Sequence, residues 1–431
     1  MTKKNHEICD PIHTFIRLNS EERRVVDSRP LQRLRNINQL ALTYLVYPGA
    51  THKRFDHSLG VMELAGRVFD VVTNQANLHE QLRDIIPEKD ELKKWRHILR
   101  IAALCHDIGH LPFSHSAENE LFKKENHEDI TVKIIQNDFM KELWDSIKLD
   151  SDDIVKLAVK PDKIPNIKLN NWEALLSEII IGNVFGVDRM DYLLRDSYYT
   201  GVVSGKFDHY RLIDTIRILP KQYEGSDEPA LGVEEGGLRC AEGLLLARYF
   251  MFSQVYFHPI RRIYDLHLRD FLRLMFSRGY PVEIDEYLKI TDNEILVEIF
   301  NALRNNKDRR HKEANKILNR KHYKLLDSIT LDDQKKKTDA LNVIFGEASK
   351  RFGEDNLKRD EEEKGGGAED FPVLTRTGRI VSSVSHSNVL REIPFAQAKY
   401  IFASREIIND AKKWLEKNRE ELLKDNNKSI H

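Results

Sequence analysis

The sequence predicts a mainly α-helical protein that ends in a small α+β segment. Helical periodicity dominates the chain, and the stretch from Leu244 to Phe276 reads as long, mostly buried helix. Strand-like alternation of apolar and polar residues is clear in "FPVLTRTGRIVSSVSHSNVL", near the C-terminus.

Taken in order, Leu31, Leu34, Ile37 and Leu40 recur every third residue behind Pro30, a residue tolerated in a helix's first turn; they predict a helix. Val61, Leu64, Ala65, Val68, Phe69 and Val72 follow the i, i+3, i+4 rhythm of an amphipathic helix. A third helix is expected over Trp95 to Ile108, with Gly109 as its stop and Pro112 just beyond. Another covers Asp188 to Asp196. The long apolar stretch should bend or break around Pro259, because proline removes a helix hydrogen bond. Thr291 and Glu294 have capping-box spacing ahead of "ILVEIF". Residues 304–337 are rich in Lys and Arg and read as solvated helix faces. The charged, Gly-rich "KRDEEEKGGGAED" (358–370) reads as an exposed loop, and Asn409 onward as a terminal solvated helix.

At 431 residues the chain can form two or three domains, or one large body with appendages. Its 68 Lys+Arg against 69 Asp+Glu give no argument for a nucleic-acid or membrane partner, although a local basic groove would escape that count. The start "MTKKNHEICD" lacks the apolar core of a signal peptide, and no stretch is apolar for long enough to span a bilayer. Cys9, Cys105 and Cys240 form no CxxC pair, which argues against a disulfide framework or a thiolate zinc site. A soluble, cytoplasmic, reduced protein is expected.

The chemistry concentrates in "CHDIGHLPFSH", where His106 and Asp107 follow an apolar helix. His57 in "THKRFDHSLG" and Asp188 in "GVDRMDYLLRD" could complete a set of two imidazoles and two carboxylates. Such a nitrogen and oxygen set suits Mn, Fe, Zn or Ni, and is less natural for Mg. Adjacent helical residues point about 100° apart, so His106 and Asp107 could share one ion only beside a helix end. On the residues alone, a buried hydrogen-bond network is the competing reading. "DRMDYLLRD" places Asp188, Asp191, Tyr192 and Arg195 on one helical face. His110, His115, His127, Glu128 and Arg54 add proton carriers and a phosphate-binding cation.

Together "DPIHTFIRL", "DSRPLQRLRNINQL", "YPGATHKRFDHSLGVMELAG", "CHDIGHLPFSH", "NHE" and "GVDRMDYLLRDSYYTG" resemble the HD-domain deoxynucleoside triphosphate triphosphohydrolases. These are the vertebrate SAM- and HD-domain enzymes and their bacterial relatives without the SAM domain. The resemblance is dense over residues 10–275 and weaker beyond. It implies an HD-domain helical fold with a helical extension, in which His57, His106, Asp107 and Asp188 hold a divalent metal. The implied reaction is attack of water on the α-phosphorus of a dNTP, giving a nucleoside and inorganic triphosphate. His115 would protonate the departing 5′ oxygen, and Glu118 would orient His115. Arg54, His110, His127, Arg189, Tyr192 and Arg248 match positions that hold phosphates. Tyr256 matches a residue packed on the nucleoside, and Gln39 and Leu40 a pair beside its sugar.

Three departures stand out: Thr14 and Ala41 replace glycines common in the family, and Arg189 replaces a Lys of the vertebrate enzyme. The first two lie near a nucleotide-activator site, where Asp10 is the matching residue. The implied organisation is a catalytic region (1–275), a helical extension (276–357), the charged loop (358–370) and the α+β segment (371–431). The implied partners are a dNTP, a nucleotide activator and further copies of the chain as a dimer or tetramer, with no membrane. Two rivals remain: an HD phosphohydrolase acting on another nucleotide or nucleic-acid phosphoester, and a non-catalytic oligomer that senses nucleotides or binds nucleic acid.

Overall fold

The protein is described by a computed structural model covering residues 5–114, 118, 125–277, 279–281, 283–364 and 369–424. His115 lies outside the described residues. The fold is mainly α, with small sheets, and divides into two compact units. One comprises residues 1–251, 280–294 and 366–394; the other comprises 252–279, 295–365 and 395–431. Both units therefore interleave the four consecutive segments expected from the sequence.

The first unit opens with an antiparallel hairpin, β1 (Asn5–Asp10) and β2 (Thr14–Asn19). Its core is built around α1 (Arg54–Val72), which buries residues on every side: Phe55, Leu59, Val61, Leu64, Val68 and Val72 among them. Gly60 in this helix gives up about 1 kcal/mol of helix propensity relative to Ala. In return its bare backbone lets a carboxylate and a guanidinium close in, since a Cβ there would fall on Asp191 Oδ1. α1 packs on α2 (Lys89–Cys105), whose last turns, Ile98 to Cys105, are fully buried. α3 (His127–Ile135) follows, started by an Asn126 capping box, and then α4 (Val187–Thr200), which ends at left-handed Gly201. A four-stranded sheet of order β3 (Ile216–Pro220), β4 (Pro229–Glu234), β7 (Pro372–Leu374) and β8 (Ile380–Ser382) borders this bundle. β7 and β8 form the expected C-terminal hairpin, and β7 runs parallel to β4.

Two local expectations need correction. The helix expected over Leu31 to Leu40 stops at Arg33 and tightens into a 3₁₀ turn over Leu34–Asn36. Spacing of strictly three matches the 3₁₀ period. Beyond it Asn38 bridges to Lys53 and its N–H is held by Asp292. The third helix ends at Cys105, not Ile108. Gly109 serves close approach rather than termination, because a Cβ there would strike the His127 carbonyl and Thr131.

The second unit contains α5 (Pro259–Met275), with proline at its first turn, and α6 (His311–Leu318). The chain breaks ahead of Pro259, as expected, after a π-helical turn over Phe252–Tyr256. Its three-stranded sheet has the order β5 (Lys324–Ser328), β9 (Ala396–Ala403) and β6 (Leu357–Lys364). The helices Ala340–Phe352 and Ile408–Leu422 share a core with it through Ile344, Leu357, Ile401 and Leu415. β6 corrects the first part of the loop expected at 358–370: residues 358–364 pair with β9, while 365–368 lie outside the described residues. Charges suit a strand at the edge of a sheet, where they discourage further pairing. Asp360 turns inward, and Arg262 donates to both of its oxygens at 2.6 Å.

No helix among the described residues is long and apolar enough to cross a membrane. Cys9, Cys105 and Cys240 are all unpaired.

Candidate active site

Three helices of the first unit deliver four side chains to one place. α1 supplies His57 from its first turn, and α4 supplies Asp188 from its own. α2 stops at Cys105, so His106 is its C-cap, still with helical backbone, and Asp107 follows on the turn beyond it. His57 Nε2 lies 3.0 Å from Asp188 Oδ1, and His106 Nε2 lies 3.6 Å from the same oxygen. Asp107 adds Oδ1 at 3.4 Å from His106 Nε2 and Oδ2 at 3.7 Å from His57 Nε2.

Proton positions show what this arrangement accepts. His106 Nδ1 donates to the Ala103 carbonyl at 2.8 Å, which leaves its Nε2 lone pair facing the cluster, buried and without a partner. His57 Nδ1 donates to Asp191 Oδ2 at 2.7 Å, which points its Nε2 inward at Asp188 Oδ1. His57, His106 and Asp188 thus bring two imidazole nitrogens and a carboxylate oxygen within reach of one ion, and Asp107, which also groups with His110 and His127, stands beside them; nitrogen and oxygen atoms of this kind fit a divalent cation. Burial opposes a charge on His57, yet its hydrogen bonds to Asp188 and Asp191 outweigh that and push it up to about 10. Asp188 is lowered despite burial, by the two neighbouring imidazoles of His106 and His57.

Asp191, fully buried, organises the layer behind. Besides His57 it accepts from His13 Nε2 at 2.6 Å and from Arg195 Nε at 2.9 Å. Arg195 reaches on to Asp10 at 2.8 Å, and Asp10 also accepts the backbone N–H groups of Ile12 and His13. The carboxylate matched to an activator site is thus turned inward. Burial works against an ionised Asp191, but Arg195, His13 and His57 hold its carboxyl well below the usual range.

Residues 54–196 match the HD domain, and residues 207–351 match the HD-associated region that accompanies it. The chain belongs to the HD-domain family. A crystal structure of a hypothetical protein from Aquifex aeolicus is 32% identical, with a TM-score of 0.78, over 95% of this chain and 100% of that one. An uncharacterised protein of Methanocaldococcus jannaschii is 36% identical over 61% of this chain and 48% of its own length. The deoxynucleoside triphosphate triphosphohydrolase SAMHD1 of Gallus gallus is 27% identical over 74% of this chain and 55% of its own. The chain spans about half the length of these two relatives.

Other expected residues of the HD domain group on either side of the cluster. Arg54 pairs with Asp107 Oδ2 and donates to Ser114 Oγ at 2.8 Å. His110 Nε2 lies 3.2 Å from Asp107 Oδ1, and its ring stacks on His127 at 3.9 Å. Burial, Arg54 and His127 keep His110 well below the usual imidazole range, hence neutral. Glu118 Oε1 accepts both the backbone N–H of His127 at 2.7 Å and its ring Nδ1–H at 2.8 Å. Among the described residues the Glu118 carboxylate therefore serves His127.

Next to Asp188, Arg189, Tyr192 and Arg248 form a cationic group: burial and the Arg189 charge push Arg248 down. Arg189 Nη2 donates to Asn183 Oδ1, while its buried Nη1 has no hydrogen-bond partner among the described residues. The Gln39 amide oxygen is likewise buried and unpartnered, beside buried Leu40. Tyr256 belongs to the second unit, where its ring stands edge-on to Phe252.

Sequence reasoning missed the role of His13 and the central place of Asp191. The i, i+3, i+7 face of Asp188, Asp191 and Arg195 was a usable signal, but nothing local announces a bond between residues 178 apart.

Proposed function

We propose that this HD-domain protein is a metal-dependent hydrolase of deoxynucleoside triphosphates, releasing a deoxynucleoside and inorganic triphosphate. The observation that carries the reading is the convergence of His57, His106 and Asp188, with Asp107 beside them, bordered by the cations Arg54, Arg189 and Arg248. A Mn, Fe, Zn, Ni or Mg ion held by those four residues would activate water and neutralise phosphate charge. The SAMHD1 relative supports the choice of dNTP through the activity it is named for.

Each residue of the chain then has a task. Arg189, Tyr192 and Arg248 grip phosphate oxygens, as guanidinium forks do well. His110 and His127 stand on the phosphate side, a role assigned on the sequence resemblance, and Arg54 also pairs with Asp107. The Gln39 amide oxygen accepts from the sugar, and Leu40 packs beside it. Water attacks the α-phosphorus as the bond to the 5′ oxygen breaks. His115 gives its proton to that oxygen, and a proton from the water passes to solvent. Tyr256 and His115 are assigned here on the sequence resemblance alone.

The test is product identity by anion exchange after incubation with Mn and each dNTP, singly and mixed. Triphosphate and free deoxynucleoside, lost in His115→Ala while metal binding persists, are expected. Turnover only in mixtures would reveal a nucleotide activator. Orthophosphate or nucleotide products would assign another phosphoester, and nucleotide binding without turnover would refute the reading.

A further inference from the structure

The second unit holds a cleft of about 720 Å3 between α5, α6, the turn Glu354–Asn356 and the start of β6. Six of its lining side chains are cationic: Arg269, Arg273, Lys312, Lys316, Lys358 and Arg359. Internal pairing uses only part of this charge. Lys316 Nζ donates to Glu313 at 2.7 Å, and Lys358 pairs with Asp270. Arg269 and Lys312 enter no ion pair among the described residues, and the Arg269 Nε–H is buried without a hydrogen-bond partner. A buried donor left unmade is destabilising, and more so when charged, so an acceptor from outside would complete the arrangement.

Neighbouring groups register the surplus charge. After burial, Lys312 and Lys358 push the Lys316 amine down against the pull of Glu313. His267, also depressed chiefly by burial, feels Lys316 and Lys358 in the same way.

His267, Asp270 and Glu313 stand close enough together to suggest a metal instead. Their proton positions argue otherwise. The Tyr323 N–H donates to His267 Nε2, so Nδ1 carries the ring proton, and it faces Glu313 Oε2 at 3.2 Å. Lys316 takes the other Glu313 oxygen. What the cleft lacks is an anion.

We propose that this cleft binds a phosphate ester of a polyol. The phosphate is received by Arg269 and Lys312, and the hydroxyls donate to Glu354 and Asp355, lining carboxylates with no ion pair among the described residues. A bare anion would make no use of those acceptors, whereas a sugar phosphate uses both kinds of group.

Calorimetric titration of the full chain with inorganic phosphate, ribose 5-phosphate and AMP tests this, with ribose as the blank. Ribose 5-phosphate should bind at least about tenfold tighter than phosphate, and Arg269→Gln or Lys312→Gln should each weaken it about tenfold, the scale of one charge-assisted bond. Lys312→Glu, at an exposed position that leaves the core untouched, should abolish binding, and Asp188→Asn should leave it intact. AMP binding tighter than ribose 5-phosphate would identify a nucleotide, and equal or weaker binding a free sugar phosphate. The proposal falls if none of the three binds at low millimolar concentration, or if phosphate matches the ester. It falls equally if the cleft variants bind as wild type does.

Discussion

Replacing Asp191 with Asn separates the metal-facing residues from what holds them. The native carboxylate receives His57 Nδ1 at 2.7 Å, His13 Nε2 at 2.6 Å, and Arg195 Nε and Nη2 at 2.9 Å each. An amide has the same shape but only one acceptor oxygen. Whichever way it turns, its NH2 meets a group that also donates. If it meets His57, the ring must shift its proton to Nε2, the atom that faces Asp188. Loss of such an orienting partner typically costs 10–100-fold in metal affinity, about 1.4–2.8 kcal/mol. The fold should suffer as well, because half of Arg195's charge compensation disappears; breaking a buried ion pair costs about 3–5 kcal/mol, and Asp10 retains part of this. The assay is competition for Mn or Zn against a chromophoric chelator, on protein shown by circular dichroism to be folded. A folded Asp191→Asn variant that binds metal within twofold of wild type would refute the reasoning.

Other outcomes follow from the same structure. Burial pushes Glu178 up from 4.5 to about 7. The folded state therefore binds the extra proton, and this stability is full below pH 4.5 and lost as pH rises through 7. At roughly 1.4 kcal/mol per unit the loss is about 3 kcal/mol, and denaturant titrations from pH 4 to 8 should show it in wild type but not in Glu178→Gln. Thr14, exposed, sits at φ 68, and a side chain there costs about 1–2 kcal/mol that glycine avoids. Thr14→Gly should raise stability by up to about 1 kcal/mol after the entropy of the unfolded chain is counted, visible as a melting shift of about 1–3 °C. Phe15, Tyr198, Val203 and Tyr210 are exposed apolar residues of the first unit. If they join copies of the chain, light scattering will give more than a monomer mass, reduced by Val203→Glu; a monomer mass at every concentration refutes it.

The four-residue cluster was legible because each member stands in a short polar motif at one end of a partly apolar helix. His106 and Asp107 follow "IAALC" at the end of α2, with His106 as its C-cap. Thr14 and Ala41, the two replaced glycines, both fall on left-handed backbone, at φ 68 and φ 47. The resemblance pointed to those positions, but their conformation was visible only in the fold. Asp191 and His13 stayed hidden because side-chain partnership across distant segments leaves no periodic trace. β6 departs from the expected loop because edge strands tolerate the charge-rich composition that elsewhere signals a loop. The helix at Leu31 is shorter than its spacing suggests because spacing by threes serves a 3₁₀ turn as well as the beginning of an α-helix.

Asp292 holds the N–H groups of Asn38 and Phe113, and Tyr287 donates to the Gly109 carbonyl. These anchors lie far downstream: Asp292 follows Phe113 by 179 residues. A ribosome adding about 5–20 residues per second needs roughly 10–35 s to cover that distance. For that interval the nascent chain carries His57, His106 and Asp107 without the anchors that fix the turn behind them. Asp188 emerges well before Asp292, so all four side chains are present before the turn can be locked. The centre therefore matures late in synthesis, and a chain truncated before Tyr287 would carry every one of the four while lacking the means to hold them in register.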